Sequence, residues 1–409
     1  MSKTLLILAD AFCGLYIDEY EMAFLSRFRD ENLCARKIIP SFGFCERTEI
    51  FTGMRPQTSG NFTAIGFAPD QSPYHEMQRM LLFWRWLEKI SYSNARRILR
   101  WYARKKEIMQ PYNIPIASLG LFSLTEDRCK HDEFNAFVGE SIFDILRRRG
   151  KTFSLEGFTQ LGRKSRFLYD SERIDYAIKC MDKGDDFVPV YISIADTIGH
   201  VYRDSYEDMK RMAITLDGIV ERIVSRAYEN GYEIMFLGDH GMEHVQETVD
   251  VIAALKESNI IIHRDCEVFL DSTIARFWCA NSNAMVKIQK CLEMKFRGKG
   301  TVITYDCFKQ YGIPDGNSFG LINGDLIWCA NTGVLIYPDY FNGSIDKGMH
   351  GYLQPTENGM GICICSSSKM GLQKAQLYDI CPTLCDMLEI TYPNRNEGKS
   401  LYNENVENG

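Results

Sequence analysis

Residues 232–242 read YEIMFLGDHGM, an apolar run that stops on an Asp-His pair held between two glycines. A run this short, apolar on both faces and closed by glycine, is read as a strand buried on both sides. Four further runs share its form: TLLILAD at 4–10, ARKIIP at 35–40, KTFSLEG at 151–157 and VPVYISIAD at 188–196. Amphipathic segments lie between them, so the expected fold is an α/β one: a doubly wound, mostly parallel sheet with helices on both faces. Such sheets collect ligands at the carboxyl ends of their strands, which is where Asp10, Asp196, Asp239 and His240 fall.

The chain as a whole sets looser limits. Its 409 residues fit two or three domains, or one large α/β domain carrying an insertion. Hydrophobic residues at 45% and charged residues at 25% are those of an ordinary soluble globular protein. A formal net charge of -7 argues against a protein built to coat nucleic acid, so no nucleic-acid polymer is expected as a partner. The first apolar run is interrupted by Asp10 with no small-residue cleavage site behind it, and is read as a buried strand, not an export signal. No run of about 18 apolar residues occurs, so no spanning helix is expected. The 14 cysteines are scattered without paired CxxC spacing. Reduced thiols and a cytoplasmic location are the expectation.

One region breaks the strand–helix rhythm. MLLFWRWLEKISYSNARRILRWYARKKE, residues 80–107, is helical in pattern and dense in Trp, Tyr, Arg and Lys. From Arg79 to Glu107 nine Lys or Arg face two Glu, a local excess of seven positive charges in an acidic protein. Residues 66–138 are therefore read as a helical, basic and aromatic cap inserted into a core of residues 1–65 and 139–401, with a frayed tail over 402–409. The cap is either a solvated hairpin packed on the core or a lid that meets an anionic or amphipathic substrate, including at a membrane surface.

Chemistry concentrates in four places. Asp10 closes the first strand. Asp196 closes another, with His200 four residues on, a spacing that turns both side chains to one point from a turn or helix start. Asp239 and His240 can reach one ion only from a sharp turn, which Gly238 and Gly241 would permit. His350 sits between Gly348 and Gly351 on an expected loop. The remaining histidines, His75, His131, His244 and His263, are read as structural or surface residues. Carboxylates and imidazoles without thiolates suit zinc, or else manganese. Three of each are enough for two divalent ions, which can clamp the attacking and leaving oxygens of an in-line phosphoryl transfer.

The order of these motifs resembles the alkaline phosphatase superfamily, and within it the type I phosphodiesterase and nucleotide pyrophosphatase branch. The matching segments are Asp10, TGMRPQTSG at 52–60, ADTIGH at 195–200, GDHGM at 238–242, MHGY at 349–352, and DICPTLCDMLEI at 379–390 followed by GKSL at 398–401. The resemblance implies a two-metal hydrolase of phosphoric esters acting on a small phosphorylated substrate, nucleotide or lipid-linked. It implies that Asp10, Asp239 and His240 hold one ion with the nucleophile, and that Asp196, His200 and His350 hold the other. Sulfatase, phosphonate hydrolase or phosphomutase chemistry on the same scaffold is the alternative, and a non-catalytic binder of a phosphorylated ligand is the alternative of another class.

The resemblance breaks at the nucleophile. Relatives carry a Thr, Ser or Cys ten residues before the glycine that Gly53 resembles, and here that position is Gly43. Three candidates stand in for it: Cys45 in the first helical turn, Ser41 across a longer turn, or a hydroxide held by an ion over Gly43. Arg47 stands where the sulfatase branch places an arginine, either as a fork on a phosphate oxygen or as a partner of Glu46 or Glu49. Glu46 occupies the place of an oxyanion-binding Asn, and would repel a phosphate unless a cation binds it first.

Overall fold

The computed structural model describes residues 2–76, 81–126, 130, 131, 133–158, 166–314, 323–366 and 373–402. Most of the expected tail, 403–409, and residues 77–80, 127–129 and 132 of the expected cap lie outside these.

Six strands form the central sheet, in the order Ala375–Gln376, Leu33–Ile39, Met360–Cys365, Tyr232–His240, Lys3–Ala9, Phe187–Ile192. Lys3–Ala9 lies between two parallel neighbours, with Ile7 opposite Val190 on one side and Phe236 on the other. Only Met360–Cys365 runs antiparallel to its partners, so the sheet is mostly parallel, as expected, but of the five apolar runs KTFSLEG at 151–157 forms no strand and makes a single bridge from Phe153 to Phe187. The two-residue period of a strand sorts its side chains between two cores. Leu5, Ile7 and Ala9 join the cluster beneath helices Asp170–Lys183 and Tyr206–Glu229. Leu6 and Leu8 join the opposite one, beneath Ile142–Arg148 and Ile380–Met387.

A second sheet was not foreseen from the sequence. Cys266–Leu270, Ile274–Cys279, Leu326–Ala330 and Gly300–Thr304 pair antiparallel throughout. Their runs, EVFL, ARFW and LIWCA, are as short and apolar as those of the parallel sheet, and periodicity alone does not separate the two cases. Helices Leu81–Ile90 and Tyr92–Lys106 form a hairpin on this half: Ala95, Leu99 and Ala103 are buried in the same hydrophobic cluster as Phe269, Phe277 and Trp328. None of the described helices is long and apolar enough to cross a membrane.

Candidate active site

The first group of ligating side chains forms where Lys3–Ala9 ends. Its last pairing with the neighbouring strand is Leu8 with Leu237, so Asp239 and His240 project past it and close on Asp10. The His240 Nε2 lies 3.3 Å from Asp10 Oδ1, and the Ala11 amide donates to Asp239 Oδ1 at 3.3 Å. The expected sharp turn at Asp239 is absent, because the strand runs on through His240. Glycine is needed there for closeness instead: a Cβ at 238 would stand 2.1 Å from the Phe12 carbonyl oxygen, and one at 241 would stand 1.9 Å from that of Asn358.

The second group joins two halves of the chain. Asp196 lies in the first turn of helix Ile194–Tyr202, and His200, one turn later, brings Nε2 to 3.1 Å from Asp196 Oδ1. His350 follows the two-residue strand Gly348–Met349, which pairs with Glu243–His244. Its Nε2 is 3.9 Å from Asp196 Oδ1, and its ring stacks on His240 at 4.1 Å. The six residues thus fall into two triads, Asp10/Asp239/His240 and Asp196/His200/His350, with each triad's donor atoms within 4.8 Å of one another. Both open on one cavity of about 440 Å³.

The electrostatics of that cavity call for cations. Its lining sets five carboxylates, Asp10, Glu46, Glu126, Asp196 and Asp271, against one guanidinium, Arg47. Burial pushes the Asp239 carboxyl up to about 7, with Asp10 adding to the effect. Burial opposes a charge on His200, but its hydrogen bonds to the Asp196 and Asp346 carboxylates raise it to about 10. Burial likewise opposes a charge on His240, and the Asp239 and Asp10 carboxylates override it and hold the ring protonated. Those protons supply the positive charge that divalent ions would supply. Burial and its two imidazole neighbours keep His350 neutral, and its Nδ1 is buried without a hydrogen-bond partner. This donor set fits divalent ions held by oxygen and imidazole.

The sequence candidates for attack are not brought to this cavity. Ser41 donates its hydroxyl to Glu49 at 2.8 Å, and Cys45 caps helix Glu46–Thr52 while almost fully buried. Neither lines the cavity. Gly43 has φ +125°, and a Cβ there would stand 2.1 Å from the Phe62 carbonyl oxygen, so the position admits no side chain. Arg47 does reach the site, 3.4 Å from Asp239 and 4.0 Å from Asp10, and its guanidinium covers the rings of Phe158 and Tyr191. It pairs with these two aspartates across the sheet and not with Glu46 or Glu49 on its own helix.

Several residues escaped the sequence reading. Asp346 lies 3.4 Å from His200 Nδ1, and its four-residue offset from His350 repeats that of Asp196 from His200, a signal that could have found it. The Tyr191 hydroxyl donates to Asp10, with nothing in its apolar run to announce it. Asp271, Ser272, Phe341 and Asn342 form the facing wall. There the buried Asp271 bonds Arg276 at 3.1 Å, and burial lifts its carboxyl to about 6.

A mostly parallel sheet that carries two carboxylate–imidazole triads at its strand ends is the frame of an alkaline phosphatase-type hydrolase. The chain belongs to the type I phosphodiesterase / nucleotide pyrophosphatase family, whose model matches residues 4–353. It is a hydrolase of phosphoric esters, of phosphodiesterase or pyrophosphatase type. Among solved structures, human ectonucleotide pyrophosphatase / phosphodiesterase 5 superposes with a TM-score of 0.68 at 13% identity, covering 98% of each chain. The murine protein, in an inactive form in complex with AMP, gives 0.66 at 12% identity over 96% of each chain. No curated relative matches the sequence.

Proposed function

We propose that this chain cleaves a small phosphoric diester or pyrophosphate, of the nucleotide kind, with two divalent ions, zinc in preference to manganese. Asp10, Asp239 and His240 would hold one ion, and Asp196, His200 and His350 the other. The observation that carries this reading is the pair of triads on one cavity whose carboxylates outnumber its guanidinium. A phosphoryl anion is repelled there until cations are in place. Bound ions would polarise the phosphoryl oxygens and make a water acidic near neutrality.

The chain's own residues supply the rest. With the first triad's carboxylates engaged, the Arg47 fork is released to pair with a phosphoryl oxygen. The closed position at Gly43, the engaged Ser41 and the sequestered Cys45 favour water as the nucleophile. Its oxygen forms the new P–O bond as the bond to the leaving oxygen breaks. Glu46, on the cavity wall and with its proton affinity raised by burial, takes the water's proton, and the leaving oxygen takes a proton from solvent. The 66–138 segment supplies specificity: Asn113 donates its backbone N–H to Tyr340 at 2.7 Å and its amide to Asn342 at 2.8 Å, tying that segment to the Phe341–Asn342 wall.

Stereochemistry at a chirally labelled phosphorus tests the mechanism. One displacement by water inverts the centre, whereas a phosphoryl-enzyme followed by water retains it. Retention would sink the water reading. Elemental analysis tests the ions: two per chain are expected, and one in Asp239→Asn. A protein that leaves zinc-replete purification with neither ion would instead be a binder of phosphorylated ligands.

A further inference from the structure

The helical hairpin Leu81–Ile90 and Tyr92–Lys106 is apolar on two sides, and the fold uses only one. Trp84 and Leu87 pack against the second core, and Ala95, Leu99 and Ala103 are buried in it. On the outside, Phe83, Trp86 and Ile90 follow one another at helical spacing and stand 46%, 57% and 62% exposed. Ile98 and Trp101 do the same on the second helix, at 45% and 61%. Cations flank them: Arg97, Arg100, Arg104 and Lys106 are exposed, and Lys105 Nζ lies 5.2 Å over the Trp101 ring. Residues 79–107 carry nine Lys or Arg against two Glu, in a chain whose net charge is -7.

We infer that this hairpin docks on a lipid bilayer bearing anionic headgroups. Exposed tryptophan, phenylalanine and isoleucine leave water for the interfacial region, while the flanking guanidinium and ammonium groups meet lipid phosphates. Charge decides against a second copy of the chain, since two such faces would set the exposed Arg97, Arg100, Arg104, Lys105 and Lys106 against the same cations. The face is less suited to nucleic acid, because Ile90 and Ile98, which offer bases no stacking surface, interrupt its aromatic rings and the chain as a whole is acidic. Docking here leaves the cavity's triads untouched and does not depend on the proposed reaction.

Sedimentation of the full chain with vesicles tests this. Phosphatidylcholine vesicles containing about 30% phosphatidylglycerol should carry the protein down and shift its tryptophan emission to the blue, and phosphatidylcholine alone should do neither. Replacing both exposed rings, Trp86→Ala with Trp101→Ala, should weaken partitioning at least about tenfold with an unchanged thermal melt, because neither ring is in the core. Arg97→Glu with Arg100→Glu should abolish the preference for phosphatidylglycerol. The inference is overturned if vesicles of either composition fail to bind, if the aromatic double variant binds as well as the native chain, or if the same residues serve a dimer or a DNA oligonucleotide instead.

Discussion

Placing a threonine at position 43 would put the expected family hydroxyl in its expected place, and the structure predicts that the protein would lose by it. Gly43 sits at φ +125°, where an L side chain costs about 1–3 kcal/mol. The new Cβ would stand 2.1 Å from the Phe62 carbonyl oxygen and 2.9 Å from the Phe62 ring, and relieving that overlap adds a further ~1–3 kcal/mol. Gly43→Thr should therefore cost about 2–6 kcal/mol, combining strain and overlap. Over 409 residues the unfolding entropy is about 0.9 kcal/mol/K, so the melting temperature should fall by about 2–7 °C. Gly43→Ala should fall nearly as far, because the Cβ is the offending atom. Scanning calorimetry of the zinc-loaded proteins reads the shift, and mass spectrometry of quenched turnovers looks for a phosphoryl group on residue 43. A threonine variant that melts within about 1 °C of the native chain and accumulates that adduct would refute the reasoning.

Three other outcomes follow from the same geometry. Arg47→Met should lower turnover by ~10²–10³, yet hold zinc more tightly in chelator competition, because the cation that contends for Asp10 and Asp239 is gone. Asp271→Asn strands the buried Arg276 guanidinium and should cost about 3–5 kcal/mol in urea denaturation. Asp271 also gives a pH signature. Its folded carboxyl titrates near 6, above the ordinary 3.8, so the native state binds the extra proton and this group's contribution declines as pH rises between those values. Urea midpoints across that window should lose the slope in the Asn variant. Asp346→Asn removes a hydrogen bond that helps raise His200 to about 10, and the ring should titrate lower by NMR in metal-free protein.

The parallel sheet was legible because a doubly covered strand is apolar on both faces, as the interiors Leu5–Ala9 and Ile234–Leu237 show. Asp10, Asp196, Asp239 and His240 stood out for a related reason, since polar side chains directly after such runs have few structural uses, whereas His200 was marked by its spacing from Asp196 and His350 by its flanking glycines. The rest was hidden where pairing depends on residues far apart in sequence. Tyr191 points at Asp10 only because two strands lie side by side, and the antiparallel sheet looks like any other set of short apolar runs. The glycines misled in a different way. Gly238 suggested a turn, but its purpose is to let Phe12 pass close by, and a close approach leaves no trace in local sequence.

His350 and Asp346 come from beyond the antiparallel sheet, on a segment tethered to Glu243–His244 by a two-residue strand pair. Asp196 and His200 alone cannot complete their triad, so the 346–350 segment must dock before that site has three donors. Hydrolytic competence is thereby tied to that docking. A molecule in which that segment is undocked keeps Asp196 and His200 but lacks His350, the third donor of their triad.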